Sequence, residues 1–170
     1  MQTSAAASAA PLSPSRELSP VAGVIAGLAA ALAYLLAQML FAATVQGGEF
    51  WAPLQRISAI LLGPNAVDPH EALNIQVAGM ALLIHFALGA VYGRVIDFAV
   101  RGRESITAIA VGAGVGLAIY VVNYWVLTPI AFAWFGQNRG ATTLIDHLMF
   151  GVVAAAVYVP LRRQFARQAA

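Results

Sequence analysis

The chain has 170 residues, enough for one compact domain, but 61% of them are hydrophobic and only 9% are charged. A water-soluble domain usually carries about 25% charged residues, so this composition excludes an ordinary soluble enzyme. All nine positive charges are arginines and the net charge is only +2, too small an excess to indicate a nucleic-acid partner. Cysteine is absent, which excludes disulfides, thiolate metal sites and thiol nucleophiles.

Four segments are long and apolar enough to cross a bilayer, which requires about 20 mostly apolar residues. They cover residues 21–45, 74–97, 105–129 and 141–161. The sequence therefore predicts an all-α fold, a four-helix transmembrane bundle over residues 21–163.

The two ends of the chain are predicted to be tails on the same side of the membrane. Residues 1–20 are rich in serine, alanine and proline, which is typical of a disordered segment. The apolar stretch after them is about twice as long as the core of a cleaved signal peptide, so we expect an uncleaved signal anchor. Residues 164–170 are the second predicted tail.

Arginine is distributed unevenly between the two sides of the predicted bundle. Seven of the nine fall on the side of the termini, and only Arg56 and Arg139 fall on the other side. The positive-inside rule therefore predicts that both termini are cytoplasmic. Trp51 and Trp134 lie in the opposite loops, where aromatic rings are typical of the membrane–water interface.

The connection between the first two spans contains a shorter helical pattern. Trp51, Leu54, Ile57 and Leu61 recur at helical spacing, which predicts an amphipathic helix that lies on the outer membrane surface or dips into the bundle.

Asp68-Pro69-His70-Glu71 follows in the same connection. Its residue types could form a metal site. A helix start explains them better, with Asp68 as the N-cap, Pro69 in the first turn and Glu71 completing a capping box.

Five polar side chains lie within the predicted spans and are candidates for a functional site: Gln38, His85, Asn123, Asp146 and His147. Each lies on or beside a row of small residues spaced by four, which lets helices approach closely. Because polar groups are costly in lipid, they normally face protein. We therefore expect a polar layer in the outer half of the bundle.

Three interpretations of His85 and His147 are open. They could ligate a haem or a metal, carry protons together with Asp146, or donate structural hydrogen bonds between helices. Asp146 points about 100° away from His147 around the helix, so the two should not share one simple pocket. Thr142 and Thr143, one turn earlier, could satisfy Asp146 locally.

Other motifs favour structural roles. The sequence has no G-x-S-x-G elbow and no H-E-x-x-H motif. The glycine-rich run from Gly112 to Gly116 lies inside a span, where helix packing explains it better than a nucleotide loop. Arg94 and Asp97 have the i, i+3 spacing of a modest surface salt bridge. We predict no catalytic residue, no metal and no cofactor.

A faint internal symmetry relates the two halves of the chain. His-x-x-x-Gly occurs in the second span from His85 and in the fourth from His147, and the first and third spans both begin with Gly-x-x-x-Gly. A duplicated helical hairpin would produce this pattern, with two parallel repeats about an axis along the membrane normal. Chance is the alternative, since glycine is common in membrane helices.

The segments GVIAGLAAALAYLLAQ, LIHFALGAVYG and TTLIDHLMFGVVAAAVYVPLRR resemble the YagU-type family of small four-helix bacterial inner-membrane proteins. The matching positions are His85, His147–Leu148 and Arg162–Arg163. The resemblance implies an integral protein of the bacterial inner membrane, loosely associated with acid stress, with no established reaction. Gln38 stands where some relatives carry an acid, which argues against a proton-carrying role for the first span.

The leading functional expectation is a non-enzymatic bacterial inner-membrane protein whose molecular role the sequence does not specify, with an envelope or acid-stress function as one option. One alternative is a small transporter or proton-conducting protein that uses the polar layer. Another is a haem- or quinone-binding membrane subunit. The expected partners are the lipid bilayer and either a second copy or a larger membrane complex, because four helices enclose little room for a solute pathway.

Overall fold

The computed structural model describes residues 19–66 and 74–168, which contain helices and no strand. The six α-helices are α1 (Pro20–Thr44), α2 (Ala52–Leu62), α3 (Ile75–Val100), α4 (Ser105–Val121), α5 (Thr128–Ala131) and α6 (Ala141–Gln168). Two 3-10 turns, Pro64–Ala66 and Ala133–Asn138, lie in the connections. The all-α four-helix bundle predicted from the sequence is confirmed.

Four of the helices are long and apolar enough to cross a membrane. They are Pro20–Thr44, Ile75–Val100, the continuous helix Ser105–Ala131, and Ala141–Gln168. Large apolar side chains cover their outer surfaces, including Leu83, Phe98, Ile106 and Ile130. Such a surface is stable in lipid and not in water. The chain is therefore a multi-pass membrane protein.

Glycines bring the helices together in two pairs. In the first pair, a Cβ added to Gly27 of α1 would lie 2.1 Å from the carbonyl oxygen of Gly89 in α3. In the second, a Cβ added to Gly151 of α6 would lie 2.0 Å from the carbonyl oxygen of Gly112 in α4. The backbones thus touch directly, as small residues permit in membranes. Helices α1 and α6 then pack the two pairs together, while α3 and α4 touch less extensively.

This pairing places the two halves in a register that differs from the predicted one. The sequence aligned the Gly-x-x-x-Gly of the first span, which starts at Gly23, with the one that starts at Gly112. In the structure, Gly27 packs against α3 in the way that Gly112 packs against α6. The residue equivalent to Gly112 is therefore Gly27, one helical turn after Gly23. Gln38 and Asn123 both lie eleven residues beyond these two glycines.

The third span is not a uniform α-helix. Between α4 and α5 it winds as a π-helix, Val122–Leu127, in which the N–H of Thr128 donates to the carbonyl of Asn123. Pro129 follows, has no N–H and cannot continue the regular pattern. The Thr128 hydroxyl also donates to the Asn123 carbonyl, at 2.7 Å. Proline and threonine together account for the widened turn, and such turns are frequent at functional sites.

Helix α2 is the predicted amphipathic helix, but its buried face was predicted wrongly. Leu54 is buried as expected, whereas Leu61 is 66% exposed and Gln55 and Ser58 are buried. The helix packs against α3 and α1, so it rests on protein rather than lying free at an interface. Ser58 satisfies its hydroxyl by donating to the carbonyl of Gln55 at 2.8 Å.

Several element boundaries differ from expectation. Helix α6 runs to Gln168, past the expected end at residue 161, and absorbs Pro160 in its interior. Helix α3 ends at Val100 rather than at residue 97, and the Asn74 side chain caps its start by accepting from the N–H of Gln76 at 2.8 Å. Residues 1–18 of the predicted tail 1–20 and the predicted Asp68–Glu71 cap lie outside the described residues.

Arg94 and Asp97 form the predicted salt bridge, but its carboxylate is buried inside the bundle rather than at the surface. Asp97 is fully buried and pairs with Arg94, while the Tyr158 hydroxyl of α6 also donates to its carboxylate. The N–H of Ser19 donates to the same carboxylate at 3.3 Å. Asp97 therefore ties α3 to α6 and to the start of α1 at the terminal end of the bundle, where α1 begins and α6 ends.

Candidate functional site

A cavity of about 370 Å³ lies at the other end of the bundle, which is called here the α2 end. All four spans and α2 contribute to its lining, so no single helix defines it. Its volume lies in the range of about 300–1,000 Å³ that is typical of small-molecule sites.

Most of the cavity wall is apolar. The apolar part includes Ile57 and Ile60 of α2, Ile84 and Leu88 of α3, Ile119 and Leu127 of the third span, and Phe132 and Phe135 beyond it. A smaller polar part is formed by Tyr34, Gln38, Arg56, His85, Tyr92, Asn123 and His147. This combination, apolar walls with a few converging polar groups, is the usual composition of a ligand site.

The polar part is organised around His147, which is 7% exposed. Its Nδ1 lies 2.7 Å from the carbonyl oxygen of Thr143, which can only accept, so Nδ1 carries the proton. Its Nε2 is then an acceptor, and the side-chain amide of Asn123 donates to it at 3.4 Å. The Asn123 oxygen in turn accepts from the Tyr92 hydroxyl at 2.9 Å. The imidazole is therefore neutral and fixed between α6, the π-helix and α3.

Three tyrosine rings enclose the same imidazole. Tyr34, Tyr120 and Tyr124 lie with their ring centroids 5.3, 5.7 and 5.8 Å from that of His147, all close to edge-on. Such geometry is favourable for aromatic pairs. The tyrosines restrict His147 to one orientation.

His85 has a different environment. Its Nε2 donates to the carbonyl oxygen of Ala31 in α1, at 2.8 Å, which leaves Nδ1 as the acceptor. The ring of Tyr34 lies 5.6 Å from that of His85 and so contacts both imidazoles. The two histidines thus share one tyrosine neighbour, and both line the cavity.

Asp146 is held by α1. Its carboxylate accepts from the Gln38 side-chain amide at 2.8 Å, and the Gln38 amide also lies 3.4 Å from the Tyr34 hydroxyl. The expectation that Thr142 or Thr143 would satisfy Asp146 is wrong, because the Thr143 hydroxyl donates to the carbonyl of Asn138 instead. Asp146 does not line the apolar cavity with His147, in agreement with their angular separation on α6.

Asp146 lines a second, polar cleft of about 270 Å³ at the α2 end. Arg56 of α2 and Arg139 before α6 line it too, so two cations and one carboxylate face it. Gln38, Arg56, Asn138 and Thr143 line both the cleft and the apolar cavity, which makes the two spaces neighbours.

Arg56 lines both the apolar cavity and the polar cleft, so its positive charge acts on both. Its guanidinium lies near enough to the phenols of Tyr34 and Tyr124 to interact with them, and burial lowers the pKa of Arg56 from its usual value. Arginine still remains protonated at neutral pH. A partly buried positive charge therefore stands beside the polar part of the cavity.

The structure places four of the five sequence candidates in one hydrogen-bonded cluster: Gln38, Asn123, Asp146 and His147. Tyr34, whose hydroxyl lies 3.4 Å from Nδ1 of His147, links the two ends of that cluster. His85 is adjacent through Tyr34 but bonds to backbone.

The sequence analysis missed both Arg56 and Tyr34 as site residues. The signal for Tyr34 was its position one helical turn before Gln38. The signal for Arg56 was weaker, a single charge on an otherwise uncharged helix.

The cavity opens sideways. Leu61, Leu88 and Leu127 line it and are also 66%, 39% and 43% exposed. These residues belong to α2, α3 and the third span, so the opening lies between α3 and the third span, two helices that touch less extensively than the glycine-paired ones. In a membrane, this opening faces acyl chains rather than water.

The two histidines do not offer two open ring nitrogens to a metal or a haem. Each donates one ring N–H to a backbone carbonyl, as metal-bound histidines also do, but Asn123 occupies the second nitrogen of His147. Within residues 19–66 and 74–168 there is no group of three or more side chains that could hold a metal ion. The donor set instead suits hydrogen bonding to an organic group.

Comparison of the chain with known protein families, with curated protein sequences and with solved structures gives no match.

Proposed function

We propose that the protein binds a small amphipathic molecule in the cavity at its α2 end, and that binding rather than catalysis is its activity. The observation that carries this proposal is the division of one cavity into a large apolar wall and a compact polar part around His147. An apolar chain would occupy the wall of Ile84, Leu88 and Ile119. A polar head would meet Arg56 and Asn123.

The lateral opening supports entry from the bilayer. A molecule dissolved in lipid could pass between Leu88 of α3 and Leu127 of the third span without crossing water. A quinone fulfils these requirements, with carbonyl acceptors on an apolar ring, and is one member of the class proposed. Transport or presentation of such a molecule would use the same site.

The proposed binding is tested by filling the cavity. Ile84→Trp places a large ring at a buried lining position, whereas Ile145→Trp changes a lipid-facing residue that is 61% exposed and does not line the cavity. Both variants are placed in neutral-lipid nanodiscs and titrated with labelled dodecanol. We expect wild type and Ile145→Trp to bind alike and Ile84→Trp to bind at least about tenfold more weakly. Absence of saturable binding to wild type would refute the proposal.

Proton conduction is a second candidate, because one observation favours it. Hydrogen bonds or near contacts run from Asp146 through Gln38, Tyr34, His147 and Asn123 to Tyr92. Beyond Tyr92, however, α3 and α1 meet at Gly93 and Gly27, where a Cβ on either residue would approach the other helix within 2.9 Å. This contact separates the chain from Asp97 at the terminal end.

Proteoliposomes containing a pH-sensitive dye test the second candidate. We expect no proton flux above that of empty liposomes, in wild type or in the double variant H85A/H147A. A flux in wild type that the double variant loses would make conduction the function instead.

We further propose that the protein lies in a bacterial inner membrane with both termini in the cytoplasm. Six of the described arginines lie towards the terminal end: Arg94, Arg101, Arg103, Arg162, Arg163 and Arg167. Arg56 and Arg139 lie at the α2 end, and the positive-inside rule assigns the richer side to the cytoplasm. Membership of the YagU-type family and a role in acid stress remain hypotheses that rest on the sequence resemblance alone.

Association with a second copy or with another membrane protein also remains a proposal. Gly79 and Gly114 face away from the bundle, with no heavy atom within 4 Å of an added Cβ. Small residues on a lipid-facing surface allow another helix to approach. Blue-native electrophoresis of wild type and Gly114→Leu tests it, and a shift to smaller species in the variant would support it.

A further inference from the structure

The charge of the bound molecule can be inferred from the arginines at the α2 end. Within residues 19–66 and 74–168 the one ion pair joins Arg94 to Asp97, so neither Arg56 nor Arg139 is paired with a carboxylate of that part of the chain. Among the described residues, Asp146 is the one carboxylate that lines the polar cleft; it accepts from Gln38 and is not in ion-pair contact with either arginine.

Arg56 is placed to meet a ligand rather than solvent alone. It is partly buried, lines the apolar cavity as well as the polar cleft, and stands beside Tyr34 and Tyr124. Burying a cation without a counter-charge is unfavourable. A guanidinium also presents a planar fork of donors that matches the two oxygens of a carboxylate or phosphate.

Arg139 adds a second positive charge to the same cleft. Its guanidinium lies over the ring of Trp125, 4.4 Å from the ring centroid, and this contact holds it in place. Its buried Nε has no hydrogen-bond partner among the described residues. The described residues thus give the cleft two cations and one carboxylate, a net positive charge next to an apolar cavity.

We propose that the ligand is a single-chain anionic amphiphile, whose carboxylate or phosphate head lies between Arg56 and Arg139 and whose chain lies along the wall of Ile84, Leu88 and Ile119. The inference rests on the proposed binding function and names the chemistry of the ligand. The cavity volume of about 370 Å³ lies near the lower end of the range for small-molecule sites, which suits one chain rather than two.

Four probes built on a straight C12 chain separate the head groups: dodecanoate, dodecyl phosphate, dodecanol and dodecyltrimethylammonium. Each is titrated into wild-type protein in phosphatidylcholine nanodiscs, with empty nanodiscs as the background. We expect the two anions to bind at least about tenfold more tightly than dodecanol, and the cation to bind most weakly. The stronger anion identifies the head as a carboxylate or a phosphate.

Substitutions assign the effect to the arginines. Arg56→Gln should weaken dodecanoate binding by at least about tenfold and should weaken dodecanol binding by much less, because only the anion loses a charge partner. Arg139→Gln should act in the same direction with a smaller effect. Arg163→Gln, an exposed arginine of α6 that lines neither space, is the matched control and should change nothing.

The outcomes distinguish this inference from the proposed function. If no probe binds wild type, the binding function itself is refuted. If all four probes bind equally, or Arg56→Gln binds dodecanoate as wild type does, binding stands and the anionic head is refuted. The double variant D68N/E71Q removes the carboxylates of residues 67–73. A rise of about tenfold or more in its dodecanoate affinity would show that these residues neutralise Arg56, and would also refute the inference.

Discussion

At the scale of single residues, the two histidines differ in the ring nitrogen that carries the proton. His147 donates from Nδ1 to Thr143, whereas His85 donates from Nε2 to Ala31. A carbonyl oxygen cannot donate, so both assignments follow from the geometry. The sequence predicted that the histidines face protein, but no sequence pattern specifies a tautomer.

Opposite tautomers are a testable consequence. In protein labelled with ¹⁵N at histidine and reconstituted in lipid, we expect one neutral imidazole protonated at Nδ1 and one protonated at Nε2. His147→Gln should remove the first set of signals and His85→Gln the second. If the two residues show the same tautomer, the hydrogen-bond arrangement of the cavity is wrong.

Asp97 is the residue whose environment the sequence predicted least well. Its spacing from Arg94 indicated a surface pair, yet it is fully buried against Tyr158 of α6. The i, i+3 rule identifies a local partner and contains no information on what a distant helix contributes. Tyr158 lies 61 residues away along the chain.

Asp97→Ala should destabilise the protein by about 3 kcal/mol, near the lower end for breaking a buried ion pair, because Arg94 is partly exposed. The variant also leaves the Tyr158 hydroxyl without its acceptor. Glu104→Ala is the control, since Glu104 is exposed and caps no N–H with its side chain. Thermal unfolding in a mild detergent measures both, and equal stabilities would show that Asp97 is not an anchor.

At the scale of helices, direct backbone contact at glycine decides which helices pair. The rows of glycine predicted close approach, and the structure confirms this for Gly27, Gly112 and Gly151. The helix against which each glycine row packs could not be predicted, because a spacing of four residues describes the face of one helix and says nothing about its neighbour. The same limit explains the one-turn error in the alignment of the two halves.

Gly112 and Gly114 form a matched pair for testing helix contact. A Cβ at position 112 would lie 2.4 Å from the Gly151 carbonyl oxygen, whereas a Cβ at position 114 would meet nothing within 4 Å. Gly112→Ala should therefore cost about 1–3 kcal/mol from overpacking, and Gly114→Ala should cost nothing. Unfolding in detergent with increasing dodecyl sulfate compares them, and an equal loss in both would contradict the pairing of α4 with α6.

Helix α2 shows how far an amphipathic pattern can be interpreted. Its existence followed from helical spacing, but the structure buries Gln55 and Ser58 and leaves Leu61 exposed. Periodicity locates an apolar face on the assumption that the polar face meets water. Here α2 packs on α3 and α1, and protein contacts rather than water determine its rotation. Arg56 consequently reaches the cavity, which the pattern did not predict.

At the scale of the whole molecule, composition was sufficient to predict the fold class. Four apolar segments require four spanning helices, because lipid offers the backbone no hydrogen-bond partners. The cavity was not predictable in the same way. It lies beside the limited contact between α3 and α4 and is lined by residues of the π-helix before Pro129, which are properties of packed helices.

The absence of cysteine allows the proposed orientation to be tested directly. Single cysteines replace Gln137, at the α2 end, and Gln164, near the end of α6; Gln137 is exposed, and so is Gln164. In intact cells, a membrane-impermeant maleimide should label Gln137→Cys, and Gln164→Cys only after the membrane is permeabilised. The reverse pattern would place the termini outside the cytoplasm.

The central claim is that an apolar chain enters the bundle between α3 and the third span. A dodecanoate carrying a diazirine near its methyl end, photoactivated on the protein in phosphatidylcholine nanodiscs and mapped by peptide mass spectrometry, tests this claim most directly. We predict that labelling concentrates at the cavity residues Leu88, Ile119 and Leu127, and that excess unlabelled dodecanoate suppresses it. Labelling spread evenly over lipid-facing residues such as Val91 and Ile145, with no suppression by competitor, would contradict the claim.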